Sequence, residues 1–267
     1  LTEIIDFHAH AFPDALAARA VRHLEHGGGI KAFLDGTVSA LLASMDLAGI
    51  RTSVLCSIAT KPEQFEPILK WSLEIASPRI VPLPSIHPKG PDPVGQAHRV
   101  AEAGLPGIKI HPYYQDFDID DEALFPLYRA LDSLGLFVIC HTGFDFAFSR
   151  ERRADPVKIL RVLERVPSLR FITSHLGAWD DWDEVEKHLI GKPITMDISL
   201  SIELLGRERA RAMLLAHPAD RILFGTDTPW SSQAETLGLF RSLDLGVERE
   251  SLILCKNAEA LLGQARR

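Results

Sequence analysis

The sequence predicts an α/β protein folded as a single closed (β/α)8 barrel. Eight apolar runs of strand length alternate with stretches of helical spacing along 267 residues, a length usual for that architecture. Most of the runs are continuous rather than alternating, as parallel strands covered on both faces require. Polar groups suited to a site end both the first run and the last. Strands one and eight are neighbours in a closed barrel and usually distant in an open sheet, so a site using both ends favours closure. No Gly-x-Gly-x-x-Gly turn follows the first strand, which removes the main support for a nucleotide-binding sheet.

The elements follow in order. A strand near 3–8 opens the chain. The long stretch 11–37 carries Gly27-Gly28-Gly29 and reads equally as a lid over the site or as a flexible surface excursion. A helix runs over 38–48 and stops at Gly49. Strands then fall near 52–58, 80–86, 107–111, 136–141, 170–175, 194–199 and 221–226. Helices are expected over 63–76, 93–103, 122–134, 156–165, 181–190 and 205–216. Asp121 and the pair Asp155-Pro156 are helix starts, and Gly104 and Gly135 are helix ends. Residues 233–243 and 248–262 form a helical tail, so the single domain covers 1–267 with 233–267 as its C-terminal extension.

With 46% hydrophobic and 24% charged residues, the composition is that of a soluble globular protein. The net charge of −7 and the lack of a Lys/Arg-rich run argue against nucleic acid and anionic membranes as partners. No segment has the apolar length of a membrane span. Cys56, Cys140 and Cys255 are scattered and suggest neither a disulfide framework nor a Cys-type zinc site. With no leader-like segment before the first strand, a cytoplasmic setting is expected. The apolar face of the tail leaves a homo-oligomer open.

The strand ends hold the chemistry. His8 and His10, two residues apart, present both imidazoles to one face, and Asp6 is positioned to accept an imidazole N–H. One buried histidine is most often a satisfied core residue; two on one strand end are harder to explain that way. His141 and His175 close strands five and six in matching positions, which suits a third nitrogen ligand and a nearby acid/base group. Asp227, in Phe-Gly-Thr-Asp-Thr-Pro-Trp, offers a carboxylate beside the first strand, although Asp in such a turn also serves as a helix N-cap. Imidazole and carboxylate together suit zinc and similar divalent ions. Lys109 and His111 share the same two-residue spacing at strand four. Trp179 and Trp230 are candidate pocket walls, His87 ends strand three, and Arg150, Arg152 and Arg153 follow strand five, where a guanidinium holds a substrate carboxylate or simply faces water.

Asp-Phe-His-Ala-His at 6–10, Gly-Ile-Lys-Ile-His-Pro at 107–112, Cys-His-Thr-Gly at 140–143, Ser-His-Leu-Gly at 174–177 and the Asp227 segment resemble the amidohydrolase superfamily. The resemblance is to the amidohydrolase-2 branch that includes aminocarboxymuconate-semialdehyde decarboxylase, and it runs over nearly the whole chain. It implies a (β/α)8 TIM barrel and metal ligands His8, His10, His141 and Asp227. It implies one divalent ion per chain, Zn2+ or another such as Mn2+. His175 then assists proton transfer or holds an oxyanion, and Asp227 doubles as the catalytic acid/base. Lys109 bridges two ions as a carboxylated lysine in two-metal members; in this branch a plain ammonium is expected. Lys109, His111, Tyr113, Gln115 and Trp230 are then the substrate-binding groups.

The first expectation is a metal-dependent hydrolase that cleaves an ester, lactone or amide of a small molecule. The alternative, with the same ligands, is a non-oxidative decarboxylase of a small unsaturated or aromatic carboxylate. A non-enzymatic metal-binding barrel ranks below both, because a structural ion needs no adjacent acid/base group.

Overall fold

The computed structural model describes residues 3–264; the ends of the expected domain and tail lie outside the described residues. Eight parallel strands form in the predicted order: β1 Ile5–Ala9, β2 Thr52–Cys56, β3 Ile80–Leu83, β4 Gly107–Ile110, β5 Phe137–Cys140, β6 Phe171–Thr173, β7 Thr195–Asp197 and β8 Ile222–Leu223. β1-β2-β3 pair as one ladder and β4 to β8 as another. Two seams close the ring. At β3–β4, Lys109 N donates to Pro84 O at 3.0 Å and Ser85 Oγ to Lys109 O at 2.8 Å. At β8–β1, Phe7 N donates to Phe224 O at 2.7 Å and His10 N to Thr228 O at 2.6 Å.

Two apolar layers follow from the two-residue period of the strands. Ile5, Phe7, Val54, Cys56, Leu83, Phe137, Ile139, Ile172 and Leu223 fill the barrel interior. Their neighbours Ile4, Leu55, Ile80, Ile108, Ile110, Val138, Phe171, Met196 and Ile222 pack outward under the helices. Phe7 clusters inside, yet His8 also faces inward, so two consecutive residues point one way. The β1–β2 register shifts between Asp6 and Ala9, and this bulge is the reason.

Most helices lie within a residue or two of expectation, with three differences. Residues 11–37 are not a featureless loop: Asp14–Gly28 forms α1, a helix of 15 residues, and Gly29 caps it at φ +64°. The glycine triplet is thus a helix end rather than a hinge. Its sequence hid the helix because Pro13 gives no side-chain cap and only Ala17 and Val21 are buried. The helix expected over 205–216 is broken at Gly206, whose φ of +75° separates Ile202–Leu205 from Arg207–Ala216. The second tail helix contains a π turn, Leu252–Lys256. That wide turn points Ile253 O away from the helix, where it accepts from Phe224 N at 3.0 Å. Asn257 Nδ2 adds bonds to Ala219 O and Ile222 O at 2.8 and 2.7 Å, and Cys255 and Ala258 pack into the interior cluster.

Strand contact leaves no room at Gly107, where a Cβ would lie 2.3 Å from Phe137 O in β5. Gly107→Ala is expected to cost about 1–3 kcal/mol through forced strand separation. A thermal melt reads this as a Tm lower by roughly 2–4 °C per kcal/mol; an unchanged Tm would contradict the close approach.

Candidate active site

The β1 bulge delivers His8 and His10 to the carboxyl end of the barrel, each held from behind. His10 Nδ1 lies 2.7 Å from Cys56 O. A carbonyl only accepts, so the proton sits on Nδ1 and Nε2 carries a lone pair. His8 Nδ1 lies 2.9 Å from Asp197 Oδ2 and 3.0 Å from Ser199 Oγ. Burial alone would raise the Asp197 carboxyl, but His8, His175 and the Ser199 hydroxyl outweigh it and hold it well below the usual carboxylate range. Asp197 is therefore an acceptor, and His8 Nε2 is also a lone pair. Burial, helped by Lys109 and opposed by Asp197, drives His8 down to about 4, so its ring is neutral.

Both lone pairs face Asp227. Its Oδ1 lies 3.5 Å from His8 Nε2 and 3.0 Å from His10 Nε2. Burial would raise this carboxyl too, but the His10, His8 and His175 imidazoles around it hold it below the usual carboxylate range. Asp227 holds a left-handed backbone, φ +66°, and its N–H is tied to His8 O at 2.8 Å. Such strain at a strand end is typical of groups aimed for function. His8, His10 and Asp227 offer donor atoms within 4.8 Å of one another.

His141 and His175 face each other with the same logic. His141 Nε2 is 2.9 Å from Phe144 O, and His175 Nδ1 is 3.0 Å from Ser199 O, so each of these nitrogens donates. The remaining nitrogens, His141 Nδ1 and His175 Nε2, stand 3.0 Å apart. Two lone pairs at that distance repel unless a proton or a metal ion lies between them. The donor set therefore fits a divalent ion of the zinc or manganese type. The structure brings His8, His10 and Asp227 together and sets the fourth expected ligand, His141, beyond His175. His141 falls instead into a second group with His111 and Asp145.

The other expected groups divide. Lys109 is buried, with Nζ 3.1 Å from His8 Nε2, and His111 stacks on His141 with ring centroids 4.1 Å apart. Both line a cavity of about 720 Å³ together with Trp179 and Trp230. Tyr113 and Gln115 do not line it. The Tyr113 hydroxyl donates to Gly143 O at 2.9 Å, and the Gln115 amide spans Ala59 O, Ile86 O and His111 N, so both brace the loops instead. Tyr114 takes the wall position expected of Tyr113. Asp6 is a further correction. Lying before the bulge, it binds the His8 and Thr226 backbone N–H groups, the Thr226 hydroxyl and the Gln233 amide rather than an imidazole, and burial raises it to about 6. Arg150, Arg152 and Arg153 pair with Asp180, Asp181 and Asp116 at the surface. His87 is buried outside the cavity and accepts from Lys89 N.

Sequence reasoning missed Asp197, Ser199 and Asp145. The first two carry a readable signal: Asp197 and Ser199 end the seventh strand with the two-residue spacing already used for His8/His10 and Lys109/His111. Asp145 had none, since only the loop after β5 brings it within 3.4 Å of His111. Removing an outer acceptor of this kind weakens metal binding about 10–100-fold. Asp197→Ala is expected to do so in a chelator competition while the far-ultraviolet spectrum stays native; unchanged affinity would separate Asp197 from the metal site.

Known proteins place the fold in context. A "Tim-Barrel Protein Bb4693" from Bordetella bronchiseptica superposes with a TM-score of 0.76 at 22% identity, covering 99% of this chain and 100% of that one. A 2,6-dihydroxybenzoate decarboxylase superposes at 0.73 with 16% identity, over 98% and 100%. A manganese-bound 5-carboxyvanillate decarboxylase from Novosphingobium aromaticivorans superposes at 0.70 with 15% identity, over 98% and 97%. Identities this low speak for the shared barrel. A comparison with curated protein sequences gave no significant match. The Amidohydrolase family (Amidohydro_2) matches residues 5–264, and the chain is an enzyme of that family.

Proposed function

We propose that this enzyme is a metal-dependent, non-oxidative decarboxylase of a small aromatic or unsaturated carboxylate. This puts first the reading that the sequence ranked second. The observation that carries it is Lys109. Its side chain is 1% exposed, and no carboxylate oxygen lies within 4.0 Å of Nζ among the described residues. A buried ammonium without an anion is costly, and a substrate carboxylate beside the histidines supplies the missing charge. The sequence reading sought an arginine for this task. Structural neighbours that are decarboxylases of aromatic acids favour the same order.

His8, His10 and Asp227 would hold one divalent ion, zinc or manganese, with His141 as the fourth ligand once its Nδ1 turns from His175 toward them, and a bound ion would supply Lewis-acid stabilisation of negative charge on a substrate oxygen. Lys109 orients the carboxylate. His175, whose Nδ1–H is held by Ser199 O, would first take a proton from solvent on Nε2 and then pass it to the carbon that bears the carboxylate. A C–H bond forms there, the C–C bond breaks, its electron pair returns to the unsaturated system, and carbon dioxide leaves. Solvent then returns a proton to His175. Asp227 stays ionised throughout. Three free buried thiols agree with a reducing, cytoplasmic setting, and no helix among the described residues is long and apolar enough to cross a membrane.

Hydrolysis remains the second reading, favoured by the Asp227 carboxylate beside the histidines, which suits removal of a proton from water. Metal counting separates a bridged two-ion hydrolase from both one-ion readings, and carbon dioxide release from an aromatic acid separates decarboxylation from one-ion hydrolysis. About one ion per chain is expected with an unmodified Lys109; two per chain would point to a carboxylated, bridging Lys109 and to hydrolysis. A hydrogen bond to a charged group is worth about 1.5–3 kcal/mol. Lys109→Met is therefore expected to weaken binding of an aromatic carboxylate inhibitor by about ten- to hundredfold at unchanged metal content. Equal affinity in calorimetry would remove Lys109 from the substrate site.

A further inference from the structure

We propose that the substrate carries an apolar tail, seated in an annexe of the cavity between α1 and the third helix, Phe65–Ile75 (α3). The inference rests on the reading of the His/Asp cluster as the reacting centre. Leu16, Ala20 and Leu24 follow one another at intervals of four along α1, and all three line the cavity. Pro67, Ile68 and Trp71 present the i, i+1, i+4 stripe of α3 to the same space. Helix α1 buries Ala17 and Val21 against the body of the protein. The adjoining row of the same apolar face, in which Leu16 is 42% exposed, meets the cavity.

The strand-end histidines, Asp227, Lys109 and Asp145 form the reacting end of the chamber, and the helical walls are apolar apart from Arg19 and His23 of α1 and the nearby Thr60 and Gln64. At about 720 Å³ the chamber lies well within the range of pockets that take drug-sized ligands, roughly 300–1,000 Å³. A single-ring acid held at the polar end would leave the apolar walls wet. An alkyl or aryl substituent placed para to the carboxylate removes them from water and covers the exposed row of α1, while Arg19 and His23 keep to its margin.

The test uses benzoate and 4-pentylbenzoate, titrated calorimetrically into metal-loaded enzyme. Each buried methylene is worth up to about fourfold in affinity, so the pentyl acid is expected to bind wild type at least tenfold more tightly. Leu16→Asp and Ile68→Asp each place a charge in the annexe and are expected to abolish that advantage. Leu16 is a surface position of a helix, so its variant keeps the test decisive if Ile68→Asp fails to fold. An advantage below tenfold in wild type, no binding of either acid, or an advantage retained in Leu16→Asp overturns the annexe. Carbon dioxide release is followed separately. Tail-dependent binding without release from either acid would overturn the decarboxylase reading and leave the annexe standing. Release without tail preference would do the reverse.

Discussion

Proton bookkeeping on four imidazoles governs this site. Cys56 O, Phe144 O and Ser199 O can only accept, and Asp197 is an ionised acceptor. Each therefore claims the single N–H of one neutral ring and leaves the opposite nitrogen bare. His8, His10, His141 and His175 thus turn lone pairs toward one another and toward the Asp227 carboxylate. In water such a cluster would take up protons. Here burial opposes charging of the His8 and His141 rings, both shifted below the ordinary histidine range. A divalent cation relieves the conflict without charging any ring, which is why the geometry and the donor chemistry point the same way.

That arrangement depends on a backbone irregularity. A regular β1 would place Phe7 inside and His8 outside, or the reverse. The shift between Asp6 and Ala9 turns both inward, so Phe7 packs 5.6 Å from the Phe137 ring while His8 reaches the site above it. The barrel interior is accordingly apolar below and polar above, with the boundary between consecutive residues of one strand. Asp6 pins the bulge by binding His8 N and Thr226 N on either side of the closing seam. The same seam fixes Asp227 through His8 O. Closure of the barrel and assembly of the site are one event at β8–β1.

Much of this was legible in the sequence, and the failures share a cause. Eight strands and the site at their carboxyl ends followed from apolar runs ending in His, Lys or Asp, because a parallel barrel needs continuous apolar strands and gathers their ends on one face. His8, His10, His141, His175 and Asp227 were visible for that reason. Asp6 was misassigned because strict alternation places it with His8, and a bulge leaves no mark in composition. Tyr113 and Tyr114 were exchanged because they lie beyond the strand, in a turn whose direction periodicity does not set. Helix α1 was hidden because Pro13 offers no side-chain cap and three glycines mark the segment as a loop, although Leu16, Ala17, Ala20, Val21 and Leu24 form one apolar face that meets both the protein and the cavity.

The two halves of the chamber make different demands on the reaction, and this separates the roles of its residues. In the proposed decarboxylation a localised carboxylate becomes neutral carbon dioxide while charge moves toward the ring. Apolar walls would favour that dispersal, whereas Lys109 would favour the localised charge with which the reaction begins. A cation whose attraction does not grow along the reaction coordinate adds nothing to kcat. Lys109 would therefore serve capture and orientation. The acceleration would come from groups whose interaction grows along the reaction coordinate: the proton passed on by His175, and whatever holds the charge that accumulates as carbon dioxide departs. Ser199 and Asp197 connect these tasks, since one short network fixes both the tautomer of His8 and the orientation of His175. The residues least visible in the sequence thus set the protonation state on which both the metal site and the proton transfer rely.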